Sequence, residues 1–279
     1  MMTTTRESAP DAVTDAFVEA NGLRIYYRET GEGPPLILVH GGLATGEVMW
    51  SPTVVADLAR SHRVLIPDSR GHGRTDNPEG RMRYDTMADD VAAFSAALGL
   101  DRPTIVGYSD GAQVALEIGL RHPELPRAMV IGGVVTRPVE GYLQALREMG
   151  FPKSGAVDLP QVERAMGGFY DTLRTSHEHA RDDDDFARYL AEISALWYSV
   201  PDYSDAQLAR IDVPSLVIVG DRDGVSVDES MRLYRLLPRG ELAVVPNAEH
   251  GAGGKPVFWA LVADFLARHV PADAPASAS

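Results

Sequence analysis

Gly107-Tyr108-Ser109-Asp110-Gly111 fits the pattern G-x-S-x-G, a spacing suited to nucleophilic chemistry. A serine hydroxyl is a weak nucleophile at neutral pH and needs an imidazole to take its proton. A carboxylate must then fix the imidazole tautomer and stabilise the imidazolium. With 16 serines and 26 glycines in the chain, about 0.14 such matches arise by chance, so context has to carry the argument. The flanking glycines suit a nucleophile on a sharp, strained turn, where bulky neighbours do not fit. An ordinary glycine-rich turn between a strand and a helix is the competing reading. Eight histidines, at 40, 62, 72, 122, 177, 179, 250 and 269, are candidate bases. Asp221, Asp223 and Asp228 follow one apolar run, and each is a candidate acid.

The elements around the motif are legible. Strands are expected at Ala16–Ala20, Leu23–Arg28, Leu36–Val39, Arg63–Ile66, Thr104–Val106, Met129–Ile131, Leu216–Val219 and Leu242–Val245. Asn21-Gly22 between the first two is a type I′ hairpin signal. The later strands are unalternated runs of Ile, Leu and Val, as in a parallel sheet buried on both faces. Helices are expected at Pro52–Arg60, Thr86–Leu98, Gly111–Arg121, Val227–Leu237 and Val257–Arg268. In the second, Met87, Val91, Phe94 and Leu98 form one apolar stripe, and Gly99 ends it. The alternation predicts a doubly wound α/β sheet. Ser109 then follows a strand and opens a helix, the setting that G-x-S-x-G requires. From Thr136 to Ile211 no strand signal appears; the stretch is helix-like and aromatic, and too long for a plain loop.

Several motifs in order resemble the α/β-hydrolase superfamily. Leu38-Val-His-Gly-Gly42 is similar to its His-Gly oxyanion turn. Pro67-Asp-Ser-Arg-Gly-His-Gly-Arg-Thr75 is similar to its D-x-R-G-H-G-x-S segment, with Thr75 in place of serine. Gly220-Asp-Arg-Asp223 resembles its acid turn and Ala248-Glu-His250 its histidine turn. The resemblance spans residues 16 to 268. It implies an α/β-hydrolase fold: a mostly parallel eight-stranded sheet, helices on both faces and a helical cap insertion. The expected division is a core over 16–135 and 212–269, a cap over 136–211, and mobile tails over 1–15 and 270–279.

The resemblance also assigns roles. Ser109 is the expected nucleophile, and His250, after the last strand, completes the order Ser…acid…His; a surface-loop histidine is its competing reading. The family pattern puts the catalytic acid at Asp223, leaving Asp221 a structural part in the turn and Asp228 a place at a helix start. His40 and His72 read as structural loop residues. The backbone N–H groups of Gly42 and Asp110 are expected to hold the oxyanion. The Asp110 side chain has two readings. It complements a helix dipole, or it selects an amino-bearing substrate, as in the α-amino-ester hydrolases that the Ser-Asp-Gly segment resembles. Trp50, Tyr108, Asp110, Phe169, Trp197 and Tyr198, with Met49 and Tyr170 beside them, are the expected substrate contacts; part of this aromatic set could equally be packing within the cap.

The function implied is hydrolysis of a small carboxylic ester, lactone or thioester without a cofactor. Cofactor-free haloperoxidase or perhydrolase chemistry, carbon–carbon bond hydrolysis and a non-catalytic ligand receptor on the same fold remain alternatives. Serine at the elbow, in place of aspartate, argues against dehalogenase and epoxide hydrolase chemistry. The chain of 279 residues carries 26 Lys+Arg against 40 Asp+Glu, a formal charge of −14. That balance argues against general affinity for nucleic acid or anionic membrane. The absence of cysteine excludes disulfides, thiolate metal sites and a cysteine nucleophile. No metal is expected. His177 and His179, two apart, face different ways on a helix, and Asp182–Asp185 reads as a solvated helix start. The expected partner is a small ester-like substrate, with a homodimer left open, and the expected compartment is the cytoplasm.

Overall fold

Alternate residues of each central strand point to opposite faces of one sheet, and both faces are buried. Leu36 and Leu38 pack on one side while Ile37 and Val39 pack on the other. That is the physical origin of the unalternated apolar runs. The computed structural model describes residues 13–180, 182–224 and 227–271. Of the tails expected over 1–15 and 270–279, residues 1–12 and 272–279 lie outside the described residues, as does Arg181 ahead of the acidic run, whereas Thr14 and Asp15 belong to a strand and Val270 is buried.

The strands are β1 (Thr14–Ala20), β2 (Leu23–Thr30), β3 (Pro35–Val39), β4 (Arg63–Pro67), β5 (Thr104–Tyr108), β6 (Met129–Gly132), β7 (Ser215–Gly220) and β8 (Gly240–Val245). Their order in the sheet is β1-β2-β4-β3-β5-β6-β7-β8. β1 and β2 form an antiparallel hairpin in which Ala20 pairs Leu23. Asn21 and Gly22 make its turn at φ 49° and 72°, the left-handed pair that a type I′ turn needs. β2 also pairs antiparallel with β4, and every pairing from β4 onward is parallel.

The helices are α1 (Gly46–Met49), α2 (Pro52–Ala59), α3 (Tyr84–Ala97), α4 (Asp110–Arg121), α5 (Glu140–Glu148), α6 (Leu159–Met166), α7 (Tyr170–Thr175), α8 (Asp183–Trp197), α9 (Asp205–Leu208), α10 (Val227–Leu236) and α11 (Pro256–His269). α3, α4 and α10 bury their apolar residues on one sheet face; α2 and α11 cover the other. α3 buries Met87, Val91 and Phe94 and ends in a Schellman turn. There Gly99, at φ 62°, donates to Ala96 O, and Leu100 donates to Ser95 O. Helices α5 to α9 lie between β6 and β7. Leu146, Phe186, Leu190, Ile193 and Leu196 join them to the same core as α3 and α4. Asp182 caps α8 by accepting from Asp185 N at 2.9 Å, and Asp183, Asp184 and Asp185 fill its first turn. Among the described residues no helix is long and apolar enough to cross a membrane.

Candidate active site

Ser109 sits between the end of β5 and the start of α4 at φ 55° and ψ −117°. A non-glycine residue there costs about 1–3 kcal/mol and persists only where its surroundings enforce it. Both flanking glycines are required by contact. A Cβ on Gly107 would lie 2.1 Å from Gly111 O, and one on Gly111 would lie 2.0 Å from Val39 O. The turn is pinned further by Ser109 N, which donates to Gly132 O at 2.8 Å.

His250 Nε2 is 2.9 Å from Ser109 Oγ, and its Nδ1 is 2.9 Å from Asp223 Oδ1. With Nδ1–H donating to the carboxylate, Nε2 is left to accept the serine proton. The Asp223 carboxylate is fully buried, while the His250 side chain is 47% exposed. Desolvation works to lower the imidazole pKa. The hydrogen bond and charge of Asp223, with the charge of Asp110, outweigh it and hold the pKa above the usual 6.5. Two turns bring acid and base together. Arg222 N donates to Ala248 O at 2.9 Å, and Ala248 N donates to Asp221 Oδ1 at 3.0 Å. Asp221 thus stitches the turns, and the backbone N–H groups of Asn247 and Ala248 pull its pKa down. Asp228 lies in the first turn of α10. Tyr108 fixes the histidine loop from below, its hydroxyl donating to His250 O at 2.5 Å.

Ser109, His250 and Asp223 open into a cavity of about 480 Å³. Gly41, Gly42, Leu43, Val48, Met49 and Trp50 form part of its wall, with Leu146, Met149 and Phe169 from the helical segment. Of the expected substrate contacts, Trp50, Tyr108, Asp110, Phe169 and Trp197 line it. Tyr198 is not among the lining residues: its hydroxyl donates to Phe151 O at 2.8 Å, inside the helical segment. Tyr170 likewise packs edge-on against Phe186. Gly42 faces Asp110 so closely that a Cβ there would lie 2.4 Å from Asp110 Oδ2.

The Asp110 carboxylate is buried and bonded twice. Tyr84 donates its hydroxyl to Oδ1 at 2.9 Å, and Trp197 Nε1 donates to Oδ2 at 2.8 Å. Burial pushes its pKa up to about 6, against the pull of these two donors and of His250. Sequence reasoning missed Tyr84 and Gln113, both of which line the cavity. Gln113 shares its helix with Glu117 and was not singled out by local pattern, and nothing local marked Tyr84.

Three separate segments, after β3, after β4 and between α7 and α8, bring a second group of histidines together behind the oxyanion turn. His40 Nε2 accepts from Ser69 N at 2.9 Å, so its Nδ1 donates to Gly41 O. His177 Nδ1 accepts from Gly73 N at 2.9 Å, so its Nε2 donates to Leu43 O. The His72 ring lies between them, 5.0 Å and 5.8 Å from its neighbours. Burial lowers all three pKa values, those of His40 and His177 to about 4. Asp68, held up to about 6 by burial, accepts from Gly46 N and Arg74 N. Thr75 takes the place of serine by accepting from Tyr26 N at 3.0 Å. Among the described residues no group of three or more His, Asp or Glu is placed to hold a metal.

Comparison with known proteins agrees with this arrangement. The family model described as alpha/beta hydrolase fold matches residues 34–253. The chain is 29% identical over 255 residues to 2-hydroxy-6-oxo-6-(2'-aminophenyl)hexa-2,4-dienoic acid hydrolase of Metapseudomonas resinovorans, covering 88% of each. It is also 29% identical to a putative non-heme chloroperoxidase of Synechocystis sp., over 81% of this chain and 88% of that protein. An esterase structure from Rhodococcus sp. superimposes with a TM-score of 0.72 at 27% identity, over 92% of this chain and 99% of the esterase. With the sheet order, the strained serine turn and this match over most of its length, the chain belongs to the α/β-hydrolase fold family.

Proposed function

We propose that the protein is a serine hydrolase that cleaves a small, uncharged carboxylic ester, lactone or thioester through an acyl-enzyme on Ser109. The carrying observation is the unbroken relay Ser109–His250–Asp223 at the wall of an apolar cavity. Ser109 Oγ attacks the carbonyl carbon as His250 Nε2 takes its proton, and Asp223 stabilises the imidazolium. The N–H groups of Gly42 and Asp110 receive the oxyanion. His250 then gives its proton to the leaving oxygen or sulfur. Water, deprotonated by the same imidazole, releases the acid and restores Ser109. Residues 136–211 act as the cap that shapes the acyl site, and the reaction asks for no cofactor.

The cavity wall favours an uncharged substrate. Its acidic members are Asp110 and Asp223, and among the described lining residues there is no Arg or Lys. The Metapseudomonas relative is named for a dienoic acid. A carboxylate of that kind would meet two acids here and no cation. An amino-bearing substrate would meet in Asp110 a carboxylate whose two oxygens each already accept one bond, from Tyr84 and from Trp197. The test is fluorophosphonate labelling together with turnover of p-nitrophenyl esters from acetate to hexanoate. The expected result is one label, on Ser109, and many turnovers per molecule, with both lost in Ser109→Ala. Turnover retained in that variant sinks the mechanism. A single turnover would support a ligand receptor, and peroxide-dependent halogenation in acetate would support a perhydrolase.

A further inference from the structure

We propose that Gln113 is a specificity-determining residue that accepts a hydrogen bond from a hydroxyl group on the substrate, away from the carbonyl that Ser109 attacks. The inference rests on the hydrolase reading above. Between Gly111 and Gly119 of α4 the buried polar side chains are Gln113 and Glu117, and Glu117 has a partner, accepting from the Tyr203 hydroxyl at 2.6 Å. Gln113 is 2% exposed and lines the cavity. Its Nε2 donates to Val135 O, and Val135 lines the same cavity. That bond fixes which end of the amide is which, because a carbonyl accepts only from a donor. The remaining atom, Oε1, is buried and has no hydrogen-bond partner among the described residues.

The neighbouring donors are committed elsewhere. Tyr84 and Trp197 donate to Asp110, and the Tyr142 hydroxyl donates to Trp197 O at 3.1 Å. A methionine of similar volume would carry no unpaired buried acceptor of its own, though it would give up the bond to Val135 O. A site holding a buried acceptor instead rejects a ligand that cannot donate to it, more strongly than an apolar wall rejects an extra hydroxyl. Gln113 lies one turn beyond Asp110 on α4, which places the hydroxyl within a few carbons of the scissile carbonyl. Trp50 Nε1 is also buried without a hydrogen-bond partner among the described residues. Its ring packs edge-on against Trp259, with the residues of the opposite sheet face, so Gln113 carries the stronger argument.

Binding to full-length Ser109→Ala protein, which cannot turn over, tests this. Methyl hexanoate would be titrated calorimetrically beside its 2-, 3- and 6-hydroxy derivatives. The expected result is that one hydroxy ester binds about 5- to 100-fold tighter than the plain ester, the range set by satisfying one buried acceptor. Adding Gln113→Met should abolish that ratio while the plain ester binds as well or better. No hydroxy ester favoured in the Gln113 protein overturns the proposal, whether or not the methionine variant folds. An equal preference in both proteins also overturns it. Ester turnover by the unsubstituted protein reports on the hydrolase reading separately. Turnover without hydroxyl preference removes this inference alone, and hydroxyl preference without turnover removes the hydrolase reading alone.

Discussion

His250 and the group His40, His72 and His177 are two histidine environments within one fold, and they are tuned in opposite directions. The group is buried, and its rings are bonded to backbone atoms or stacked on one another. Burial outweighs the backbone carbonyls of Gly41, Arg70 and Leu43 that favour the charged ring, so the pKa values fall. His250 keeps its ring half-exposed and bonds a buried carboxylate, so its pKa rises. In the mechanism proposed above, a carboxylate partner therefore makes the base, while backbone partners make a strut. His40 and His72 lie in recognisable motifs and still belong to the second kind.

The sharpest way to break this contrast is to delete the base. His250→Ala should lower kcat on a p-nitrophenyl ester by roughly 10⁶, as removal of a triad histidine does where the triad acts as a unit. Melting temperature should change little, because the ring is half outside the protein. Turnover within tenfold of the parent would mean that another group takes the serine proton.

Replacing the acid is the next largest effect. Asp223→Asn should lower kcat by roughly 10⁴, since the amide favours the wrong imidazole tautomer. The pH profile carries the sign. The imidazole must be neutral to accept a proton, so kcat/KM falls as pH drops through its pKa. With that pKa raised, the acid limb should have its midpoint above 6.5. Asp223→Asn removes the bond and charge that raise it, so the midpoint should move to lower pH. An unmoved midpoint would assign the limb to a different group.

Much of this contrast was legible in the sequence, but not evenly. The central strands were readable because burial on both faces writes continuous Ile, Leu and Val into them, and the edge hairpin was readable from its Asn21-Gly22 turn. The serine turn was readable because its glycines answer to contacts of 2.1 Å and 2.0 Å that no side chain survives. Asp223 and His250 were readable as turns after particular strands. His177 was not: it bonds Gly73 N, 104 residues away, and Leu43 O, 134 residues away. Tyr84 and Trp197 meet at Asp110 across shorter gaps, 26 and 87 residues, that local pattern still does not span. Tyr198 was misjudged because an aromatic ring near a site and one bonded within the helical segment leave the same local pattern. Periodicity reports which face of an element is buried. It carries no information about which distant backbone group a side chain will bond.

His177→Asn tests the strut side of the contrast, with the smallest expected effect. The asparagine carbonyl can still accept from Gly73 N, but the bond to Leu43 O is lost. At pH 7 that should cost about 1–3 kcal/mol of stability. The pH dependence is more diagnostic than the cost. In the folded protein His177 has a pKa of about 4, against 6.5 for the exposed ring. As pH falls below 6.5 the unfolded chain binds a proton that the folded chain does not, so parental stability drains away down to about pH 4. For one such histidine this amounts to about 2 kcal/mol between pH 7 and pH 5. Asp68 and Asp110, held up to about 6, act oppositely and gain stability as pH falls through that value. They are common to both proteins and cancel in the difference. The stability gap between parent and His177→Asn, measured by urea denaturation, should therefore narrow by about 2 kcal/mol from pH 7 to pH 5. A gap that stays constant with pH would mean that His177 protonates as readily folded as unfolded, and the two histidine environments would no longer differ in kind.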